Sequence, residues 1–243
     1  MGGERISSRH QNCLVAGLSP ATSSPLRCHL RTLQLRAGTI LYEPGDRIDY
    51  AYFPHDCVVS LLAVLEDGSS AEVAVFGREG VLGYTTSLVG RTAIGRYVVQ
   101  IAGTASQVNL DRLSDVASAH PELRDLLLRF AEALLAQTFQ SVACNAVHTV
   151  EARCCRWILS TQDRVNQTTI PLTHEFLAAM MGVQRSTVSL TTRMLQSAGA
   201  IKQYRGGITI VDREALEDIS CECYRAIRAT FERLLPGTYA SDC

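Results

Sequence analysis

The sequence predicts an α+β protein, with an N-terminal antiparallel β-roll, a long dimerisation helix and a C-terminal winged helix-turn-helix. Three patterns support this order. Short β-branched and aromatic runs separated by glycine and proline fill much of the first half. A broad apolar helical face begins at Pro121, and two short helical patterns meet at Gly182. We place the boundaries at residues 1–120, 121–147 and 148–243.

Composition is that of a soluble globular protein. The 243 residues are 47% hydrophobic and 19% charged, and the net charge of −1 gives the whole chain no attraction to nucleic acid. No apolar run approaches the ~20 residues needed to cross a bilayer. Nine scattered cysteines without a secretory leader fit a reducing compartment better than a disulfide framework. We therefore expect a cytoplasmic protein that has no membrane partner.

The predicted strands begin at Leu33. Runs of four to eight residues at this spacing are typical of an antiparallel barrel or sandwich. The clearest hairpin signal is Asp67-Gly68, between two apolar runs, and strands at residues 97–101 and 105–110 close the region. Ahead of the strands we expect a loose stretch over the first ten or so residues and then one or two short helices.

A long helix is predicted from Pro121 because apolar residues recur there at helical spacing. The residues of this face are Leu123, Leu126, Leu127, Phe130, Leu134 and Leu135, continued by Phe139, Val142 and Ala146. The stripe is longer than one small domain needs, so we expect it to be buried against a second copy. Packing within the chain is the alternative. A further helix over residues 150–162 carries Trp157 and leads into a turn-like stretch.

Residues 171–198 predict a helix-turn-helix. Thr173 is a good N-cap for the first helix, Gly182 supplies the left-handed conformation that ends it, and the second helix follows from about Gln184. The apolar, small and turn positions of the motif are occupied in order by Leu177, Ala178, Met181, Gly182, Val183 and Val188. Thr191 stands where a larger apolar residue is commoner, and an ordinary helical hairpin is the alternative.

A β-hairpin over residues 200–211 can serve as a wing beside the second helix. Asp212 is expected to cap one final helix over residues 213–235, followed by a frayed tail after Pro236. Charge is locally biased here: between Leu172 and Val211 four basic residues face the single acid Glu175, a local excess of +3.

This order of elements resembles the Crp/Fnr family of bacterial transcription regulators. The resemblance covers roughly residues 30–212 and is carried by LRAGTILYEPGDRIDYAYFPHDCVVSLL and LTHEFLAAMMGVQRSTVSLTTRML. It implies a cyclic-nucleotide-binding-like roll and a homodimer that binds an inverted repeat in double-stranded DNA. RNA polymerase is a further expected partner of such a regulator.

The resemblance also implies DNA-binding residues. Arg185 matches the arginine that opens the recognition helix and contacts guanine, whose O6 and N7 a guanidinium can bond together. Ser186 and Leu190 stand where the family's type member has glutamate and arginine, so the operator should differ. We expect base-edge or phosphate contacts from Gln184, Ser186 and Ser189, and phosphate contacts from Thr173, Thr187, Arg193, Lys202 and Arg205.

An effector pocket is only partly retained. The family's cassette pairs Gly-Glu, for the ribose, with Arg-Ser or Arg-Thr, for the cyclic phosphate, and the corresponding places here are Gly83-Tyr84 and Arg96-Tyr97. Losing a charge-assisted bond in a buried polar site costs about 1 to 3 kcal/mol. We expect no cyclic AMP gating and no other cofactor; the regulator should be ungated or take another ligand, for which Gly83, Arg96 and Tyr97 stay candidate effector-binding positions.

The cysteines predict no metal site. Cys13, Cys28 and Cys57 are too far apart for the iron–sulfur cluster of the Fnr branch. Cys221 and Cys223, at i and i+2 of the predicted final helix, should point to different faces. His148, Glu151 and Cys155 share a helical face and form a conceivable metal set, for which a solvated or dimer-facing stripe is the alternative. Burial as small apolar residues is the main expectation for Cys144, Cys154 and Cys155, and oxidant sensing is the alternative for these three and for Cys221 and Cys223.

Other function classes are a redox- or metal-responsive regulator, an adaptor that binds proteins through its winged helix, and a cupin-like enzyme. The enzyme would need two histidines one residue apart with a third and a carboxylate, whereas His55 stands alone in the β region. No nucleophilic triad, P-loop or dinucleotide turn is present in the sequence. We therefore predict that the protein is not an enzyme.

Overall fold

The computed structural model describes residues 12–84, 90–165 and 167–239, so the predicted loose stretch at the N-terminus lies almost wholly outside the described residues. Two short helices come first, α1 (Cys13–Ala16) and α2 (Pro20–Arg27). The first sheet has the order β1-β7-β3 and consists of β1 (Arg31–Leu35), β3 (Tyr50–Pro54) and β7 (Gly103–Asn109). The second has the order β2-β6-β4-β5 and consists of β2 (Ile40–Tyr42), β4 (Val58–Val64), β5 (Ser70–Phe76) and β6 (Arg96–Ile101).

Every strand pair in these sheets is antiparallel, as the predicted roll requires. The hairpin at Asp67-Gly68 joins β4 to β5, and Gly68 has the positive φ of +83° that the turn demands. Aromatic rings fill the space between the sheets: Tyr97 packs edge-on against Tyr42 at 5.9 Å and lies 6.0 Å from Phe76. We call the buried apolar cluster around these three rings the inner core.

Two helices close the roll, α3 (Leu110–Ala119) and α4 (Pro121–Val147). The predicted apolar stripe of α4 divides into two faces. Its inner face packs into the inner core through Leu123, Leu127, Phe130 and Leu134. Its other face is exposed in the single chain and contains Leu128, Leu135, Phe139 and Val142. The single broad face that we predicted was wrong, because Leu135, Phe139 and Val142 lie away from the residues that pack within the chain.

The C-terminal part contains a winged helix-turn-helix. In chain order its elements are α5 (Val150–Val165), β8 (Thr169–Pro171), α6 (His174–Met181), α7 (Arg185–Ser197), β9 (Ile201–Tyr204), β10 (Gly207–Ile210), α8 (Arg213–Ile219) and α9 (Cys223–Leu234). Strand β8 was not predicted, and it gives the wing three strands in the order β8-β10-β9.

The predicted single helix over residues 213–235 is two helices. Asp212 caps α8 as expected, since its side chain accepts a hydrogen bond from the Ala215 amide. The chain then leaves helical geometry at Ser220, whose ψ is 149°. The segment after Pro236 is also not frayed as far as Tyr239, because Thr238 is buried and the Tyr239 ring packs on Phe231.

The roll and the winged helix-turn-helix are packed together. The outer face of the second sheet places Val58, Leu62, Val98 and Ile101 in a second core with α5, α6 and α7. Helix α9 contributes to both cores, since Tyr224 lies in the second core while Ile227 and Phe231 join the inner core beside α4. The domain boundaries that we placed at residues 121 and 148 remain predictions.

One buried ion pair joins three parts of the chain. Arg164 of α5 donates to Glu79 Oε1 at 2.8 Å, and both side chains are only 2% exposed. The same guanidinium donates to Gln137 Oε1 of α4 at 2.9 Å and to the Ser160 carbonyl at 2.7 Å. Within the described ranges, no helix is long and apolar enough to cross a membrane.

Candidate DNA-binding surface

The turn between α6 and α7 has the conformation that the sequence predicts. Thr173 is the N-cap of α6, and its hydroxyl oxygen accepts a hydrogen bond from the Phe176 amide at 3.2 Å. Gly182 ends α6 in the left-handed region, with φ 63° and ψ 39°. Arg153 of α5 donates to the Met181 carbonyl at 2.6 Å, which satisfies a terminal carbonyl of α6 and locks the turn against α5.

His174 is a residue whose role sequence reasoning missed. Its Nδ1 lies 3.0 Å from Ser189 Oγ of α7, and its Nε2 lies 2.8 Å from Gln203 Oε1 of β9. The imidazole therefore links the first helix, the recognition helix and the wing. No sequence signal distinguishes it, because its partners are 15 and 29 residues away.

Helix α7 has a buried face and an exposed face. Val188, Thr192 and Leu195 are fully buried against the rest of the domain. The exposed face carries Arg185, Ser186, Leu190 and Arg193, and Leu190 keeps 55% of its surface accessible. The N-terminal turn of the helix is therefore exposed to solvent, as it must be in a recognition helix.

The predicted contact residues do not all present free side chains. Gln184 is the N-cap of α7 and makes no side-chain cap bond. Arg185 lies 3.7 Å from Glu175 across the surface, with both side chains mostly exposed, so this pair restrains the guanidinium weakly. Ser189 and Thr187 are half-buried, and the Ser189 hydroxyl donates to the Arg185 carbonyl at 3.0 Å.

The wing stands beside the recognition helix. Gly206 has φ +89° at its tip, and both Lys202 and Arg205 are exposed. A cleft of about 370 Å³ separates the wing from the N-terminal ends of α6 and α7 and is lined by residues that include Thr173, Arg185 and Gln203. Basic side chains on both sides of such a surface suit a polyanion.

The candidate effector positions have structural partners. Arg96 makes an ion pair with Glu43 at 2.8 Å. Tyr97 is fully buried in the inner core. Gly83 has φ +88°, and an added Cβ would lie 2.6 Å from the Tyr50 carbonyl, so the backbone approaches closely there. Part of the intervening segment lies outside the described residues.

Five of the nine cysteines form two groups. Burial, followed by the nearby Glu151 carboxylate, raises the pKa of Cys155 to about 12, and burial also raises the pKa of Cys154. Both thiols therefore stay protonated and behave as apolar core groups. The second group contains Cys144, His148, Cys221 and Cys223, whose candidate ligand atoms all lie within 4.8 Å of one another.

Two of our sequence-based predictions about this second group were wrong. Cys221 and Cys223 were expected to point apart on one helix, but α8 ends at Ile219 and α9 begins at Cys223, so the chain turns between the two thiols. His148 was grouped with Glu151 and Cys155, but it belongs with Cys144 instead. The helical face was misplaced because His148 ends α4 as its C-cap, outside α5.

Comparison with known proteins agrees with this architecture. Residues 152–219 match the family model of the Crp-like helix-turn-helix domain. The transcriptional regulator SdrP of Thermus thermophilus is 24% identical over 197 residues, covering 78% of this chain and 94% of SdrP.

Two solved structures share the fold. FixK2 of Bradyrhizobium japonicum superposes with a TM-score of 0.67 at 16% identity, covering 79% of this chain and 98% of FixK2. A Crp/Fnr family regulator of Thermus thermophilus gives a TM-score of 0.63 at 22% identity, covering 78% of this chain and 98% of that regulator. At these identities the likeness concerns the fold.

A β-roll followed by a winged helix-turn-helix with an exposed recognition helix defines a DNA-binding regulator of transcription. The relatives are transcription regulators and not enzymes. Residues 152–219 thus resemble the Crp-like helix-turn-helix domain, and the fold is that of a solved Crp/Fnr family regulator.

Proposed function

We propose that the protein acts in the cytoplasm as a homodimer on an inverted-repeat operator and is not gated by cyclic AMP. The observation that carries this proposal is the exposed face of α7, with Arg185 and Ser186 in its first turn. Side chains at the N-terminus of a recognition helix reach base edges in the major groove, which is about 12 Å wide. Arg193, Lys202 and Arg205 surround this point and contact phosphates.

The exposed stripe of α4 supports a homodimer. Leu128, Leu135, Phe139 and Val142 recur at intervals of seven, four and three residues, and Phe139 alone leaves 66% of its surface accessible. An apolar seam at this spacing packs against an identical helix around a two-fold axis. Two recognition helices related by that axis require two half-sites related by the same two-fold symmetry. RNA polymerase is the proposed partner through which the bound dimer alters transcription.

Independence from cyclic AMP is supported by the inner core. The rings of Tyr42, Phe76 and Tyr97 pack together between the sheets, where a ligand-binding roll would need space. The Arg96 guanidinium, the one retained phosphate-binding group, is held by Glu43.

Selection of binding sites from random DNA tests the proposal. The expected product is an inverted repeat whose half-sites lie about one helical turn, roughly 34 Å, apart. The same repeat should emerge with and without cyclic AMP. Enrichment of no sequence would overturn the operator, a single unrepeated site would overturn the dimer on DNA, and a product that appears only with the nucleotide would overturn ungated binding.

A further inference from the structure

The strongest unassigned feature is the cluster of Cys144, His148, Cys221 and Cys223. Two segments far apart in sequence supply it: Cys144 lies in the last turn of α4 with His148 as its C-cap, and the two other thiols lie at the α8–α9 junction. Cys144 and Cys223 are fully buried and Cys221 nearly so. All three cysteines carry free thiols. Among the described residues this is the one group of its kind.

The separations of the donor atoms fit one small ion. Cys144 Sγ lies 3.5 Å from Cys221 Sγ, and Cys223 Sγ lies 3.5 Å from His148 Nδ1. In a tetrahedral site with metal–sulfur bonds of about 2.3 Å and metal–nitrogen bonds of about 2.0 Å, neighbouring donors are about 3.5 to 3.8 Å apart. Two of the six separations already have this length and all six are within 4.8 Å, so small side-chain movements suffice to bring the four donors around one ion.

Surrounding polar groups orient two of the donors. The Glu222 carboxylate lies 3.2 Å from His148 Nε2, so it accepts the Nε2 proton and leaves the Nδ1 lone pair facing the three sulfurs. Gln140 Nε2 donates to Cys223 Sγ at 3.0 Å, which favours a thiolate there. A carboxylate behind a ligating histidine and an N–H group donating to a ligating sulfur are typical of metal centres.

We propose that Cys144, His148, Cys221 and Cys223 bind one Zn²⁺ ion in a tetrahedral structural site. Three thiolates and an imidazole form a donor set that binds zinc in preference to magnesium or calcium. Binding releases to solvent the protons that the thiols carry, so no oxidant or reductant is involved. Because four protein ligands fill the tetrahedron, no open position remains for a reacting water molecule.

The site ties two functional parts together. It bridges the end of the proposed dimer helix and the α8–α9 junction, across the non-helical link at residues 148–149 between α4 and α5. Bound zinc would fix the angle between the dimer helix and the DNA-binding part. This consequence rests on the proposed function, whereas zinc binding itself does not.

The first test measures metal content. The full chain, purified without chelator and under reducing conditions, is analysed for zinc and iron by plasma mass spectrometry. We expect about one zinc per chain, and we expect Co²⁺ added after zinc removal to give the intense visible bands of a tetrahedral thiolate site. Cys28→Ser, which alters an exposed thiol outside the cluster, should keep full stoichiometry, and Cys221→Ser should lose it.

A second variant avoids the risk that Cys221→Ser simply misfolds. Glu222 is exposed, so Glu222→Gln should leave the circular dichroism spectrum unchanged and weaken zinc affinity about tenfold in a chelator competition. Zinc affinity unchanged in Glu222→Gln would overturn the assigned orientation of His148. Failure of the folded, reduced protein to bind zinc or Co²⁺ would overturn the site, as would purification with iron and acid-labile sulfide.

Measuring operator affinity before and after zinc removal separates this inference from the proposed function. Zinc binding without selection of any operator would sink the proposed function and leave the metal site standing. Operator selection by a chain that binds no zinc would sink only the metal site. An operator affinity that is unchanged by zinc removal would overturn the coupling across the α4–α5 link.

Discussion

At the scale of single residues, the recognition helix combines one retained family feature with two departures. Arg185 opens α7 and is restrained only by a long contact to Glu175, while Ser186 and Leu190 complete the outward face. A guanidinium and a leucine read different base edges, because guanine offers two acceptors and thymine offers a methyl group. The operator preference should therefore follow from these individual side chains.

Arg185→Ala should relax the preference at one base pair of each half-site. If the guanidinium bonds guanine O6 and N7, its loss costs about 1 to 3 kcal/mol per contact for the preferred sequence and little for others. Quantitative gel-shift measurements on a set of single-base operator variants check this. Arg193→Ala is the matched control, since loss of a phosphate contact should weaken all sequences equally; an equal loss on all sequences in Arg185→Ala would place Arg185 on phosphate.

Leu190 should contact a thymine methyl group. Replacing that thymine by uracil removes one methyl group, which is worth about 0.8 kcal/mol when buried, or about fourfold in affinity. The measurement is fluorescence anisotropy titration with thymine- and uracil-containing operators. Leu190→Ala should show no uracil penalty, whereas Met194→Ala, one turn further along the helix, should keep it; a penalty that persists in Leu190→Ala would contradict the assignment.

At the scale of elements, α4 has two apolar faces with different partners. One face belongs to the inner core through Phe130 and its neighbours, and the other carries Leu128, Leu135, Phe139 and Val142 on the surface. A helix that is apolar on two sides needs a second partner. We propose that a second copy of the chain supplies this partner.

Phe139→Glu should dissociate the dimer. Burying one phenylalanine contributes about 1.5 to 3 kcal/mol, and a two-fold interface contains it twice, so the dimer should weaken by about 3 to 6 kcal/mol, more than a hundredfold. Sedimentation velocity should give twice the 26.5 kDa chain mass for the unmodified protein and one chain for the variant. Arg129→Glu, exposed on α4 about 100° from the stripe, should stay dimeric. A monomeric unmodified protein would contradict the interface.

Local chemistry made the motif elements predictable. Thr173, Gly182 and Asp212 act through their own backbone neighbours, so their caps and turns can be predicted from short windows. The roll hairpin at Gly68 belongs to the same class. The fold class and the exposed start of α7 followed from such signals.

Elements that depend on distant contacts could not be predicted in this way. Strand β8 exists because β10 pairs with it across the domain, and its three residues carry no periodic pattern. The break between α8 and α9 lies in a helix-compatible stretch without glycine or proline, where Cys221 is buried against Cys144, 77 residues away. Sequence spacing alone therefore placed the cysteine thiols on the wrong faces.

At the scale of the whole molecule, the roll and the winged helix-turn-helix pack against each other through the second sheet. The second sheet is covered by the inner core on one face and by α5, α6 and α7 on the other. The Glu79–Arg164 pair is buried and also contacts Gln137 of α4. Removing one member leaves the other charge in a medium that solvates it poorly.

Glu79→Gln should therefore destabilise the folded chain by about 3 to 5 kcal/mol, because the Arg164 charge stays buried without its counter-ion. The free energy of unfolding from urea denaturation, monitored by circular dichroism and Trp157 fluorescence, measures the loss. Glu43→Gln is the matched control: it removes the carboxylate of the half-exposed pair with Arg96 and should cost about 0 to 1 kcal/mol. Replacing both buried partners, as Glu79→Leu with Arg164→Met, should recover most of the lost stability, since neither charge is then stranded. Equal losses in Glu79→Gln and Glu43→Gln would show that the two halves do not depend on this pair.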